Sequence, residues 1–472
     1  MGPESVPMPG EVRFTGGMLR VDVDDQAAGV AVRWDAGVMG TLHLETCRLQ
    51  PRPEPYLLNV EVVRHRLMRI LQKQEDWAMF DLSRAEGNLQ ERLDKLKADF
   101  AIALGLLDEP GEAAKVADQA LADAVDISEA IASLHAELLL GRRVQLATMP
   151  KNLLGVRGDH SVRNAKYRET LAGKFDFVSL PLPWNQLQPD EDEFATEDAD
   201  ELVEQLHKRR LPIIGGPLID ISDKCLPNWL ALYEDDFDTV RDLAFRYVSK
   251  IVGRYRGKIS AWNVVGGLHL PGTFDGGFEQ LVELTRLLVG QVKTLLPSAR
   301  TLVTVTEPFG LYLASGEGTP PLLYAEMVSQ SGVACDAFGL NIDLGSAKGE
   351  VRDLFQLSQM LDRYGALGKP LYLTAVGCPG KQVSNGSWRH GFDRDVQAEW
   401  LESFYHIALS KPFVDSVTWS DLGDDGAQVA GGGLLDDMLT PKPAFKRLQN
   451  LRQNLRSHRE AEQPSTVILR GG

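Results

Sequence analysis

The sequence predicts an α/β protein. A (β/α)8 TIM barrel is expected over residues 148–458, behind an N-terminal α+β domain (small antiparallel sheet plus helical hairpin) over 1–147, with a polar tail over 459–472. Two observations carry this reading. From about Lys151 onward, eight short apolar runs alternate with helical stretches, the texture of repeated βα units. Before that point, four strand-like runs precede three segments whose apolar residues recur every three and four positions.

The first 49 residues supply the strand-like runs: Val12–Thr15, Met18–Val23, Gly29–Trp34 and Thr41–Leu49, broken by Gly and Asp turns. So short a sheet cannot bury a core of its own and is expected to pack on the helical segments C-terminal to it. Three helical stripes come next: Val60, Val63, Leu67, Ile70, Gln74 and Trp77; then Leu89, Leu93, Leu96, Phe100, Ala103 and Leu107; then Ala113, Ala117, Ala120, Ala124, Ile127, Ile131, Leu134 and Leu138. The break Asp108-Glu109-Pro110-Gly111-Glu112 suits a tight turn between antiparallel helices, so the second and third stripes should face each other. They can close on the small sheet within one chain, or form a homo-oligomer arm between two chains.

The barrel strands are expected at Leu153–Val156, Phe175–Leu180, Pro212–Leu218, Ile259–Val265, Leu302–Thr306, Ala337–Ile342, Pro370–Val376 and Ser416–Trp419. Helices fall between them at Glu197–Arg209, Asp238–Tyr255, Phe278–Leu296, Tyr324–Ser331, Leu354–Tyr364 and Val396–Leu409, and a last helix should begin near Pro441. A doubly wound sheet is the competing topology. It would normally carry a Gly-rich dinucleotide fingerprint after its first strand, and Gly155-Val156-Arg157-Gly158 lacks the third glycine.

Composition narrows the function. Apolar residues at 43% and charged residues at 25% exclude a disordered chain. The net charge of −16 opposes phosphate backbones and anionic lipid heads, so neither nucleic acid nor membrane is an expected partner. Cys47, Cys225, Cys335 and Cys378 form no C-x-x-C pair, and the opening residues lack the basic and apolar blocks of a signal peptide, so a cytoplasmic location is expected. Cys378 reads as a buried thiol, not a nucleophile, and no cofactor is implied. A metal site would have to use His160 or His269, neither at diagnostic spacing.

In a barrel, chemistry collects just past the C-terminal ends of the strands. Here those positions hold Arg157, Asp159 and His160; Trp184 and Asn185; Asp220; Gly266, Gly267 and His269; Glu307; Asn341 and Asp343; Ala375; and Trp419 and Asp421. Several segments around them fall in a recognisable order. Trp262-Asn263-Val264-Val265-Gly266-Gly267 is similar to W-D-V-V-N-E, and Pro370–Val376 to P-[IV]-x-[IV]-T-E-L. Val417-Thr418-Trp419, then Gly433-Leu434-Leu435-Asp436, then Pro441-Lys442-Pro443-Ala444-Phe445, are similar to T-F-W…G-L-L-x-D…P-K-P-A-Y. Phe175–Trp184 with Gln188-Pro189, and Leu226-Pro227-Asn228-Trp229, add weaker matches. From about Asn152 to Leu451 the chain therefore resembles the family 10 glycoside hydrolases, the xylanase family of (β/α)8 barrels.

That resemblance implies a carbohydrate-related barrel with an oligo- or polysaccharide ligand, and it exposes departures. The family's general acid/base glutamate falls on Gly267, with Gly266 in place of the preceding Asn, and its nucleophile falls on Ala375. Retaining hydrolysis needs two carboxyl groups about 5 Å apart, and Gly and Ala supply none. The family mechanism is thus not expected to run at the family positions. Glu307 and Asp343, on neighbouring strands, are the candidates for a relocated acid/base pair. The alternative is that the strand-end carboxylates Asp220, Glu307, Asp343 and Asp421 pair with Arg157, Arg389 or backbone N–H groups and close the barrel mouth. Trp184, Asp220, Asn341, Trp419 and Asp421 are the candidate substrate-binding residues, with Trp184, Trp229, Trp388 and Trp419 either stacking on sugar or filling space.

Overall fold

The computed structural model describes residues 1–2, 6–22, 27–83, 85, 87–221, 225–272, 277–346 and 350–462. Most of the expected tail, and Val23 at the end of the second strand-like run, lie outside the described residues.

The chain opens with β1 (Glu11–Thr15) and β2 (Met18–Asp22), then β3 (Ala31–Asp35) and β4 (Thr41–Glu45). The expected single small sheet is instead two separate antiparallel ladders, β1–β2 and β3–β4. The first turns at Gly16-Gly17, both in the left-handed region, and its apolar side chains Val12, Phe14 and Met18 stand exposed. The second lies on the barrel. Thr41 N bonds Ser387 Oγ at 2.9 Å, Ser387 N bonds Thr41 O at 2.8 Å, and His43 N bonds Val351 O at 2.9 Å. Gly40 makes this approach possible: its φ is +98°, and a Cβ there would sit 2.4 Å from Ser387 O.

Helices α1 (Leu58–Asp76), α2 (Leu89–Gly105) and α3 (Pro110–Gln145) match the three stripes. The second and third stripes do face each other: Leu89, Leu93, Leu96 and Ala103 are buried, as are Ala113, Ala117, Ala120, Ala124, Ile127 and Ile131. Leu107 and Leu138, at the ends of those stripes, are exposed. The small side chains of α3 let it lie against α1 and α2 on one side and against barrel helices on the other.

The barrel runs β5 (Leu154–Arg157), α4 (Ala165–Gly173), β6 (Phe177–Leu180), α5 (Trp184–Leu187), α6 (Glu197–Lys208), β7 (Ile213–Gly215), β8 (Ile219–Asp220), α7 (Phe237–Arg254), β9 (Ala261–Gly266), α8 (Phe278–Leu295), β10 (Arg300–Val305), α9 (Pro321–Gln330), β11 (Ala337–Asp343), α10 (Leu354–Gly365), β12 (Leu371–Gly377), α11 (Arg394–Ser410), β13 (Val414–Trp419) and α12 (Pro443–Glu462). The pairing order β10-β11-β12-β13-β5-β6-β7-β9 closes through β9–β10, all parallel, into an eight-stranded barrel. The ninth strand, β8, is a two-residue extension beside β9. The expected strands match within about two residues, except that the third splits at Gly216-Pro217 into β7 and β8. The last helix begins with Pro443 at a position where its missing N–H costs no hydrogen bond.

Alternation along the strands builds two cores. Phe177, Ile214, Ala261, Leu302, Ala337 and Tyr372 form an inner cluster of their own, while neighbours such as Val178, Ile213, Trp262, Val303 and Leu371 join the main core shared with the helices.

The N-terminal helices are tied to the barrel by buried polar contacts. Arg66 of α1 forms a bidentate pair with Asp353, the residue that caps α10, with distances of 2.5 and 3.1 Å. Glu129 of α3 accepts hydrogen bonds from Trp388 Nε1 and Leu354 N at 2.8 and 3.0 Å. Arg143 near the end of α3 donates to the carbonyls of Leu409 and Lys411.

Candidate functional site

Toward the C-terminal ends of the strands, the interior changes from apolar to polar in steps. The first step is an amide–hydroxyl chain within the barrel. Thr304 Oγ1 donates to Asn263 Oδ1 at 2.9 Å, and Thr374 Oγ1 donates to Asn341 Oδ1 at 2.7 Å. Gly339 leaves the space for this layer, because a Cβ there would lie 2.0 Å from Thr304 Oγ1.

The second step is charged. Arg157, at the end of β5, pairs with Asp421 just beyond β13 at 2.5 Å. Asp421 Oδ2 also accepts from Gln428 N at 2.8 Å. Asp343, the last residue of β11, accepts from Ser420 Oγ at 2.6 Å. Burial pushes the Asp343 carboxyl above its ordinary value, and the Asp421 charge adds to that, against the pull of Arg157 and Ser420. Burial opposes the charge on Arg157, but Asp421 and Asp343 hold its pKa up. Arg157 thus feels two carboxylates, Asp421 in contact and Asp343 nearby.

Of the expected site residues, the structure brings together Asp343 and Asp421, through Arg157 and Ser420. The anticipated pairing with Arg157 is present. Arg389 instead pairs with Glu399 at 3.3 Å. Glu307 comes after β10 in a left-handed turn with φ +46°, where its carbonyl accepts from Gly310 N at 2.8 Å. Its charge acts on Tyr312, whose phenol is pushed up first by burial, then by Tyr364 and Glu307.

Asp220 lies beside the two glycines. It is in register with Gly266 on β9, and Cβ atoms on Gly266 and Gly267 would each lie 3.5 Å from one of its carboxylate oxygens. Gly267 has φ +64°, and a Cβ there would also lie 3.0 Å from Thr306 Oγ1. Ala375 is 4% exposed and in register with Asn341.

The tryptophans fill space. Trp184 is 1% exposed, donates to Gln188 Oε1 at 2.8 Å and stacks on Tyr247; Trp419 and Trp388 are fully buried. The expected sugar-stacking faces of Trp184 and Trp419 are therefore covered by protein. Trp229 packs edge-on against Trp184 and stays partly open. His269 is fully buried, with Nε2–H donating to Thr306 O at 2.8 Å and its ring stacked on Tyr324. Burial lowers its pKa to about 4, so it is neutral at pH 7. No group of three or more His, Cys, Asp or Glu side chains that could hold a metal ion occurs among the described residues. Burial pushes the Cys378 thiol well above its ordinary value, which keeps it unreactive.

The sequence reading named Asn341 but missed Ser420 and the Asn263, Thr304 and Thr374 side chains that form a layer with it. The signal for both is strand alternation, since inward positions two apart on each strand share one face.

Comparison with known proteins agrees with this architecture. Residues 146–272 match the model of Glycosyl hydrolase family 10. An endo-1,4-beta-xylanase of Agaricus bisporus is 23% identical over 235 residues, spanning 48% of this chain and 68% of the relative. Endo-1,4-beta-xylanase 2 of Claviceps purpurea is 32% identical over 101 residues, only 21% of this chain and 29% of the relative. The crystal structure of native xylanase 10B from Thermotoga maritima superposes with a TM-score of 0.52 at 17% identity, covering 67% of this chain and 98% of that one. That of a family 10 protein from Paenibacillus barcinonensis gives 0.50 at 19% identity, over 67% and 97%. Residues 146–272 are thus similar to family 10 glycosyl hydrolases, and the barrel has the fold of the xylanases on which it superposes.

Proposed function

We propose that this barrel does not hydrolyse glycosides by the two-glutamate mechanism of the xylanase family and serves instead to hold an oligo- or polysaccharide. The observation that carries the reading is the pair Gly267 and Ala375 at the two positions where the resemblance puts catalytic glutamates. Neither side chain can attack a sugar carbon or protonate a leaving oxygen. Acid/base assistance alone is worth about 10²–10⁴-fold, and the nucleophile is a separate loss. The tied-up state of the nearby charges supports it as well: Asp421 is spent on Arg157 and Asp343 on Ser420. Of the candidate polar groups, Asn341 and Asp220 are half-buried and are the ones we assign to sugar hydroxyls, while Asp421 holds Arg157 in place.

The test is hydrolysis of aryl β-xylosides and aryl β-glucosides together with binding of xylo-oligosaccharides. Turnover indistinguishable from buffer, with saturable binding weakened by Asn341→Ala, is the expected result. Turnover by the wild-type chain overturns it.

A second reading has a specific observation in its favour. Asp220 presents its carboxylate to the backbone of Gly266 and Gly267, and the Asp343 carboxyl is pushed up by burial. Relocated carboxylates, among them Glu307 and Asp343, would then give an O-glycosyl hydrolase with a bell-shaped pH profile. Under that reading Glu307→Gln or Asp343→Asn abolishes turnover. Turnover that survives both changes and is lost in Asp220→Asn assigns the acid to Asp220.

A further inference from the structure

A cavity of about 420 Å³ lies where α1 and β4 meet the βα loops that follow β10 and β11. It is bounded by α1, by β4, by the segment from Pro308 into α9, and by α10. Its walls are largely apolar, with Phe309, Leu322, Phe355 and Met360 prominent. That volume falls in the range of pockets that enclose small organic molecules.

Among the described residues Arg66, Arg69, Arg352 and Arg363 line it, together with the carboxylates of Glu45 and Glu326, so cations outnumber anions on its wall. Arg66 is matched by Asp353, and Arg352 by Glu45 and Glu350. Arg69 is different. It donates to two neutral amides, Gln72 Oε1 at 2.8 Å and Gln359 Oε1 at 3.2 Å, and no carboxylate lies within ion-pair distance of it among the described residues. Two of its five N–H groups are thereby used, and the planar fork is held in place by both amides. Burial pulls its pKa below the ordinary value, and Arg363 and Arg66 pull in the same direction, against Glu45 and Asp76. A half-buried cation facing an apolar cavity, steadied by amides but not neutralised by contact, is a receptor for an anion.

We infer that this cavity binds a small monocarboxylate with an apolar body, its carboxylate on the Arg69 guanidinium and its hydrocarbon or ring against Phe309, Phe355 and Met360. The inference does not rest on the reading of the barrel mouth, because it uses none of the residues that carry that reading.

Isothermal titration of the full chain with octanoate and with 1-octanol tests it. Octanoate should bind saturably, one per chain, and roughly tenfold or more tighter than the alcohol of equal length, since only the acid can form charge-assisted bonds. Arg69→Gln should bring octanoate down to the affinity of the alcohol, and Arg69→Lys should restore part of the difference. Met360→Trp leaves Arg69 in place and fills the cavity, so it should weaken both ligands together. Equal affinity for acid and alcohol, octanoate binding unchanged in Arg69→Gln, or no binding of octanoate by the wild-type chain would each overturn the proposal.

Discussion

Asp343 Oδ1 accepts a 2.6 Å hydrogen bond from Ser420 Oγ over the bare Cα of Gly377, where a Cβ would lie 2.6 Å from that same oxygen. Gly377 is in register with Asp343 on the neighbouring strand, so the contact is fixed by the β11–β12 ladder and cannot be relieved by a loop. The missing side chain at position 377 is what lets a buried carboxyl and a hydroxyl from β13's end meet across β12.

Gly377→Ala should therefore break this pair. The methyl group displaces the Asp343 carboxyl from Ser420 in a closely packed interior, and overpacking of this kind costs about 1–3 kcal/mol. Urea unfolding should show the loss. Ser420→Ala should cost about 1–2 kcal/mol through the unmet carboxyl alone. If the glycine matters only through the Asp343–Ser420 pair, adding Ser420→Ala to Gly377→Ala should cost little more.

Gly267→Glu, the change that would return a carboxyl to one family position, should itself destabilise the barrel. A non-glycine residue in the left-handed region costs about 1–2 kcal/mol, and here φ is +64° with Thr306 Oγ1 3.0 Å from the new Cβ. The added charge would also stand beside Asp220. The double variant Gly267→Glu/Ala375→Glu is therefore expected to unfold at lower denaturant than wild type and to show at most trace turnover of an aryl xyloside. Transition-state stabilisation depends on the sugar-holding groups as well as on the two carboxylates.

The Arg66–Asp353 pair predicts how firmly the N-terminal helices are joined to the barrel. Asp353 is fully buried, caps α10 through Gln356 N at 3.0 Å, and carries both bonds from Arg66. Among the described residues, Asp353→Ala leaves the buried guanidinium with Ser128 Oγ as its one hydrogen-bond partner, and breaking such a pair costs about 3–5 kcal/mol. Arg66→Met with Asp353→Leu should recover much of that loss, because replacing both charges by apolar groups removes the desolvation penalty with the bond. Thermal unfolding of the three variants separates the outcomes.

How far these relations can be read from the sequence depends on their range. The eight strands are legible because each is an apolar run of four to seven residues bounded by turn signals, and the helices because apolar residues recur along one face. Gly267 and Ala375 stand out in the sequence because they sit inside segments that resemble a family pattern. Asp343 with Ser420, Arg157 with Asp421 and Arg66 with Asp353 are harder. Each joins residues on different elements, and the choice of partner depends on barrel closure and strand register. The tryptophans mislead for a related reason: an aromatic just past a strand can face the cleft or the helical layer, and Trp184 and Trp419 face inward to protein. Arg69 gives no signal in the sequence, because a single basic residue beside the apolar stripe of a helix is ordinary and its unmatched charge shows only once the barrel wall is in place.

His269 gives the pH dependence. Its ring is fully buried between Tyr324 and Tyr312, and Nε2–H is committed to Thr306 O. Burial lowers its pKa from 6.5 to about 4. Between those values the unfolded chain binds a proton that the folded chain refuses, so acid favours unfolding. The folded state keeps its full advantage above about pH 6.5, loses it as pH falls through the window, and has lost about 3 kcal/mol from this residue by pH 4. Glu129 works in the opposite direction. Burial, with Asp353 nearby, raises its carboxyl from 4.5 to about 7, so the folded chain holds a proton that the unfolded chain releases, and stability from this group falls as pH rises from 4.5 to 7. His65 and His135 are also lowered to about 4 by burial and His160 is lowered too, so the histidines outnumber the opposing carboxyls Glu129 and Asp343. The unfolding free energy of the wild-type chain should therefore fall on acidification from pH 7 to pH 5. Replacing His269 with Gln, which keeps an N–H for Thr306 O but takes up no proton, should flatten that slope by close to one proton per chain. A slope unchanged in His269→Gln would mean that the histidine titrates alike in the folded and unfolded chains, contrary to its burial.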